Sequence, residues 1–170
     1  DAIWITLQES KDGVIVLYRP SDLKTLTNRQ GPVSAYTAAQ LAETDAGWAF
    51  TRGDTHPFRG QGIGIPRLDD VLKAFPHVTF YLDIKSPDAD PAQFGQALLA
   101  TLESIDSLNR IRVYSTDAKY LQALPPAIPR FESRDETRTL LANITMAHQC
   151  DVKPDNRQPR WYGLELKREV

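Results

Sequence analysis

At 170 residues, with 41% apolar and 25% charged side chains, the chain can bury about 70% of the surface it exposes when unfolded, so one domain spanning 1–170 is the default expectation. No run approaches the ~18 consecutive apolar residues of a bilayer-crossing helix, and a net charge of −2 supplies no overall field to hold nucleic acid or an anionic membrane, so the expectation is a soluble unit with neither a transmembrane segment nor a nucleic-acid partner. The single Cys150 excludes an internal disulfide framework and a thiolate metal cluster, and it reads as structural.

The opening Asp1-Ala-Ile-Trp reads like the inside of a strand, which leads to the expectation that the natural N-terminus is missing. Residues 2–9 are β-branched and aromatic, Lys11-Asp12-Gly13 signals a turn, and Val14–Tyr18 is a second apolar run, together predicting strand, turn and strand. Arg19–Ser34 is polar and broken by Pro20, Gly31 and Pro32, as a loop would be. Thr37 with Gln40 three residues on is a capping-box pattern for a short helix running to Thr44. Residues 51–65 hold Gly53, Pro57, Gly60, Gly62 and Gly64 among charges, a composition suited to a loop over a site.

Pro66, followed by Leu68, Val71, Leu72 and Phe75, predicts a helix with proline in its first turn, ended by Pro76. Val78–Ile84 is the clearest strand. A helix over Ala92–Ile105, a strand at Arg110–Tyr114, a helix around Ala118–Leu124, a strand-like Ile128–Phe131 and a helix around Glu136–Asn143 follow. A polar stretch at Cys150–Pro159 precedes a last strand at Trp161–Leu166. Strands alternating with helices predict an α/β fold with a mostly parallel sheet. A complete (β/α)₈ barrel usually needs about 250 residues, so a barrel reading implies an incomplete one.

The stretch Ala2-Ile-Trp-Ile-Thr-Leu-Gln-Glu-Ser-Lys-Asp-Gly-Val-Ile-Val-Leu-Tyr-Arg19 resembles the glycerophosphodiester phosphodiesterase family pattern Glu-x-Asp-Val-x-x-Thr-Lys-Asp-Gly-x-x-Val-x-His-Asp, registered on Lys11-Asp12-Gly13. Gly31-Pro32-Val33, the Thr37 helix, Ile65-Pro66-Arg67-Leu68, Tyr81-Leu82-Asp83-Ile84-Lys85 (for Ile-Glu-Ile-Lys) and Arg112–Ser115 extend the resemblance in order over about residues 1–125. It implies an incomplete (β/α) TIM-barrel-type domain. The implied chemistry is metal-dependent hydrolysis of glycerophosphodiesters to glycerol 3-phosphate and an alcohol.

In that family the Glu-x-Asp pair and the Glu of Glu-x-Lys hold Mg²⁺ or Ca²⁺, and two histidines serve as acid and base. Carried over, the metal-binding Glu and Asp become Trp4 and Thr6, and His-Asp becomes Tyr18-Arg19. Asp83 and Lys85 remain, at alternate positions of one strand end where barrel enzymes build their sites. Trp4 offers no lone pair to a hard cation and Thr6 only a neutral hydroxyl, so weak cation affinity is expected unless Glu9, Asp54 or Glu165 substitutes.

The candidate set is therefore Lys85 and Tyr18 as catalytic groups, Lys85, Arg19 and Trp4 toward the substrate, and Asp83 toward the metal. The competing reading is a silent module that binds a phosphate-bearing ligand, with oligomerisation covering any open barrel edge. Each residue also has a plainer role: Asp83–Lys85 as a structural ion pair, Trp4 and Tyr18 as interior filling, and Arg52, Arg59 and Arg67 as solvated loop arginines. His56 reads as a loop residue or a substrate-facing acid, and His77 and His148 as structural.

Overall fold

The computed structural model describes residues 2–148 and 160–163. Cys150, the stretch 150–159, Leu164–Leu166 of the last expected strand and the substitute ligand Glu165 lie outside the described residues.

Strands β1 (Ala2–Glu9) and β2 (Ile15–Leu17) form an antiparallel hairpin in which Leu7 faces Leu17 and Glu9 faces Ile15. Gly13 makes its turn at φ +75, a backbone region that side chains disfavour. Two further strands, β3 (Thr79–Ile84) and β4 (Ile111–Tyr114), run parallel to β1 in the order β2-β1-β3-β4. The 128–131 segment adds one parallel bridge, Arg130 to Val113, rather than a full strand.

Helices α1 (Ala38–Ala42), α2 (Leu68–Ala74), α3 (Pro91–Ser104), α4 (Ala118–Ala123) and α5 (Arg134–Ala147) fill the connections. Their starts follow local chemistry. Thr37 with Gln40 and Ser133 with Glu136 complete capping boxes, and Asp90 accepts the Ala92 and Gln93 N–H groups ahead of Pro91. The Ser133 box starts α5 two residues before the expected Glu136. Arg67 caps α2, so Pro66 precedes that helix instead of opening it, and its carbonyl accepts the Leu17 N–H at 3.0 Å.

Strand alternation divides the sheet into two unlike faces. Leu7, Phe80, Leu82, Ile84, Ile111 and Val113 pack on Leu72 of α2, Phe94 and Leu98 of α3 and Leu121 of α4, forming the main core. A smaller cluster of Val16, Tyr18, Leu23, Val33, Leu41 and Ile65 anchors the 19–34 loop and α1. The opposite sheet face carries Trp4, Thr6 and Gln8 of β1, Tyr81 and Asp83 of β3, and Arg112 and Tyr114 of β4.

Candidate functional site

The parallel register sorts that second face into two rows. Trp4, Tyr81 and Arg112 lie abreast in one; Thr6, Asp83 and Tyr114 lie abreast in the next, nearer the strand ends. The chemistry expected of Glu-x-Asp and Glu-x-Lys thus falls on one face because β1 and β3 are hydrogen-bonded in register.

Asp83 is 3% exposed, and its Oδ2 stands 3.2 Å from Lys85 Nζ, whose side chain is 34% exposed. The strand end is fixed from both sides: the Lys85 N–H donates to the Leu7 carbonyl at 3.0 Å, and the Glu9 N–H donates to Ser86 Oγ at 2.9 Å. Buried carboxylate and half-exposed ammonium cancel locally, which leaves little net negative charge to draw a divalent ion.

Tyr18 has a different setting. It is buried in the smaller cluster, and its hydroxyl donates to the carbonyls of Asp22 and Leu23 at 3.2 and 3.1 Å. Burial raises its pKa, so its proton is held by the loop at neutral pH. The Tyr18 N–H reaches the Thr6 carbonyl at 3.2 Å, and the next residue, Arg19, is exposed. Gln8, a residue that motif reading passed over, completes this latch: buried, it donates through Nε2 to the carbonyls of Tyr18 and Pro20 at 2.9 and 2.8 Å. Its signal in the sequence was two-residue spacing from Thr6.

The lower row is aromatic. Trp4 packs on Tyr81 with ring centroids 6.1 Å apart and on Tyr114 at 5.2 Å, while Tyr81 meets Phe131 at 5.3 Å. With Trp161, Tyr162 and Gly163 these rings line a cleft of about 340 Å³. The Arg112 guanidinium lies 3.7 Å from the Trp161 ring centroid, and burial lowers its pKa. The alternation of Arg112 and Tyr114 was readable; their alignment with Trp4 and Thr6 was not, because it depends on pairing between distant segments.

The other candidates disperse. Glu9 alternates onto the core side, where burial and then the Asp90 carboxylate raise its pKa. Asp54 and His56 are exposed on the 51–65 loop, and His77 is also exposed. His148 ends α5 in the left-handed region at φ 51, its N–H bonded to the Asn143 carbonyl. Arg59 donates to the Trp48 carbonyl and Arg67 pairs with Asp69 at 3.0 Å. Among the described residues no three His, Cys, Asp or Glu side chains are grouped to hold a metal ion. A hard divalent cation prefers six or more oxygens, and Thr6 and Trp4 beside an ion-paired Asp83 do not fit that demand.

The model of the glycerophosphoryl diester phosphodiesterase family matches residues 6–148. The chain is 41% identical over 175 residues to the uncharacterized protein Rv2277c of Mycobacterium tuberculosis, covering 100% of this chain and 57% of that protein. It is 33% identical over 106 residues to a glycerophosphodiester phosphodiesterase of Bacillus subtilis, covering 61% of this chain and 36% of that protein. The crystal structure of the Rv2277c glycerophosphoryl diester phosphodiesterase domain matches with a TM-score of 0.85 at 39% identity, over 100% of this chain and 62% of that one. A phosphodiesterase from Oleispira antarctica, solved with its product sn-glycerol-3-phosphate, shares the fold with a TM-score of 0.62 at 20% identity, over 76% of this chain and 53% of that one. The chain thus spans less than two thirds of the length of these relatives, and its four-stranded α/β sheet is part of a TIM-barrel-type fold. Motif order, strand register and overall shape agree: the chain belongs to the glycerophosphoryl diester phosphodiesterase family.

Proposed function

We propose that this chain binds a small phosphate-bearing ligand at the Asp83–Lys85 end of β3 without a divalent cation, and that the hydrolytic step of its family is lost from it. The observation that carries this reading is the Asp83–Lys85 ion pair at 3.2 Å, with neutral Thr6 abreast of it. The family is generally metal-dependent, its cations neutralising phosphate charge. Here the neutralising charge would come from Lys85 Nζ, oriented by Asp83, and from the exposed Arg19.

Trp4 and Tyr81 give the ligand an aromatic floor instead of carboxylates. Tyr18 serves as a strut of the loop that carries Arg19, since its one proton is committed to backbone carbonyls. With its proton held by carbonyls and its pKa raised by burial, Tyr18 is suited neither to activate water nor to protonate a leaving alkoxide, and bound diester stays intact. The product-bound Oleispira antarctica phosphodiesterase supports a glycerol phosphate as a ligand this fold can hold.

The test is release of glycerol 3-phosphate from glycerophosphocholine in Mg²⁺ or Ca²⁺, run beside thermal stabilisation by glycerol 3-phosphate in chelator. Stabilisation without turnover is the expected pair of results. Cation-dependent turnover would return the chain to the hydrolases.

A further inference from the structure

The aromatic cleft beside the Asp83 row is walled by segments far apart in the sequence. Trp4 of β1, Tyr81 of β3, Tyr114 of β4 and Phe131 supply rings, and the 160–163 segment adds Trp161 and Tyr162. That segment is pinned in place: the Glu132 N–H donates to the Trp161 carbonyl at 2.7 Å, and Arg160 spans both Glu132 carboxylate oxygens at 2.7 and 2.9 Å. The result is a walled cavity rather than a flat apolar face, and its volume of about 340 Å³ suits a small organic group.

Tyr114 belongs to both sites, since it lines the cleft and stands abreast of Asp83. Lys85 turns its ammonium back to 3.2 Å from Asp83. Tyr81 precedes Asp83 by two residues on the same face of β3, a step of about 7 Å. A phosphate held at Lys85 therefore has the cleft within reach of its ester group.

The surroundings of these rings decide what that group is. None of the lining residues carries a formal charge. The charge held against them is positive: the Arg112 guanidinium lies 3.7 Å from the Trp161 ring centroid and 5.6 Å from that of Phe131. Its Nε is buried and meets no hydrogen-bond acceptor among the described residues. An aromatic cleft ordinarily attracts a quaternary ammonium through cation–π contact, but here Arg112 already engages two of the rings and repels a second cation. An uncharged apolar group gains the same aromatic contact without that cost.

On the reading of Lys85 as the phosphate site, we propose that the aromatic cleft selects the ester group of the bound phosphate, taking an uncharged alkyl or aryl alcohol in preference to a choline or ethanolamine headgroup.

Calorimetric titration in chelator with phosphocholine and with neohexyl phosphate isolates the charge, because the two share one shape and differ by carbon in place of the quaternary nitrogen. Neohexyl phosphate should bind at least about tenfold tighter than phosphocholine or glycerol 3-phosphate. Arg112→Gln should raise phosphocholine affinity and narrow that gap to about threefold or less. Trp4→Ala, at a ring 43% exposed, should cost neohexyl phosphate about tenfold and inorganic phosphate far less. Neohexanol, which carries no phosphate, separates the cleft from Lys85 in a Trp48→Phe background, where the emission comes from Trp4 and Trp161. If no phosphate ester binds but neohexanol changes that emission and choline does not, the Lys85 reading falls and the cleft's preference stands. Glycerol 3-phosphate binding with no gain for neohexyl phosphate, or phosphocholine binding equally tightly, overturns the cleft's preference and spares Lys85. So does a dimer that buries Trp4 and shuts neohexanol out.

Discussion

Thr6 stands abreast of Asp83 in the β1–β3 register, and Lys85, two residues on, returns its ammonium to within 3.2 Å of that carboxylate. Where the family pattern gathers acidic oxygens around a cation, Asp83 here stands beside the neutral Thr6 and the Lys85 ammonium. The site is closer to neutral, and its free donors sit on Lys85.

Restoring the acids should restore a cation site. Trp4→Glu with Thr6→Asp is expected to give a Ca²⁺- or Mg²⁺-dependent rise in Tm of about 5–10 °C when the cation is ~100-fold above its Kd, against less than about 1 °C in the parent. Equal shifts in both proteins would mean that the cation is held elsewhere.

Lys85→Ala should weaken glycerol 3-phosphate binding by about tenfold or more, the size of a charge-assisted hydrogen bond, while Lys85→Arg keeps most of it. The same alanine removes the Lys85 ammonium from beside the buried Asp83 carboxylate. A stability loss of about 1–3 kcal/mol by denaturant titration is expected, below the figure for a fully buried pair because Lys85 is partly solvated.

These residues mark how far the sequence could be read. Asp83 and Lys85 were legible because a strand's two-residue period fixes them to one face whatever the rest of the chain does. Helix starts were legible wherever a cap is local, as at Thr37 and Asp90. Tyr18 was not: its direction is set by the 19–34 loop, which folds back to offer the Asp22 and Leu23 carbonyls. The Trp4–Tyr81–Arg112 row needed parallel pairing of segments some 30 to 80 residues apart, which periodicity does not encode. Helix α5 exceeds its expected end at Asn143 by one turn, Ile144–Ala147, and stops where His148 takes the left-handed region at φ 51.

Arg110 is a structural keystone that no motif marked. Its guanidinium donates to the carbonyls of Leu72 (2.8 Å), Phe75 (3.0 Å) and Val78 (3.1 Å), satisfying the C-terminal end of α2 and the turn into β3. Arg110→Ala should cost about 1–3 kcal/mol in denaturant unfolding, with Arg110→Lys recovering only part, since an ammonium cannot span three carbonyls as the planar fork does.

Glu9 should make stability fall with rising pH. Its folded pKa is raised above the ordinary 4.5 by burial and then by Asp90, so the folded state binds its proton more tightly than the unfolded chain does. Its contribution is therefore most favourable below about pH 4.5 and is lost as pH climbs through the raised value. Glu9→Gln should raise Tm at pH 7 and leave it nearly unchanged at pH 4; a variant less stable than the parent at pH 7 would contradict that sign.

Cation-free ligand binding is tested most directly by calorimetric titration of the protein with sn-glycerol 3-phosphate in excess chelator, repeated with Mg²⁺ or Ca²⁺ in place of chelator. Saturable binding of the same affinity is expected in both conditions, lost in Lys85→Ala. Heat that appears only with the cation present would contradict it.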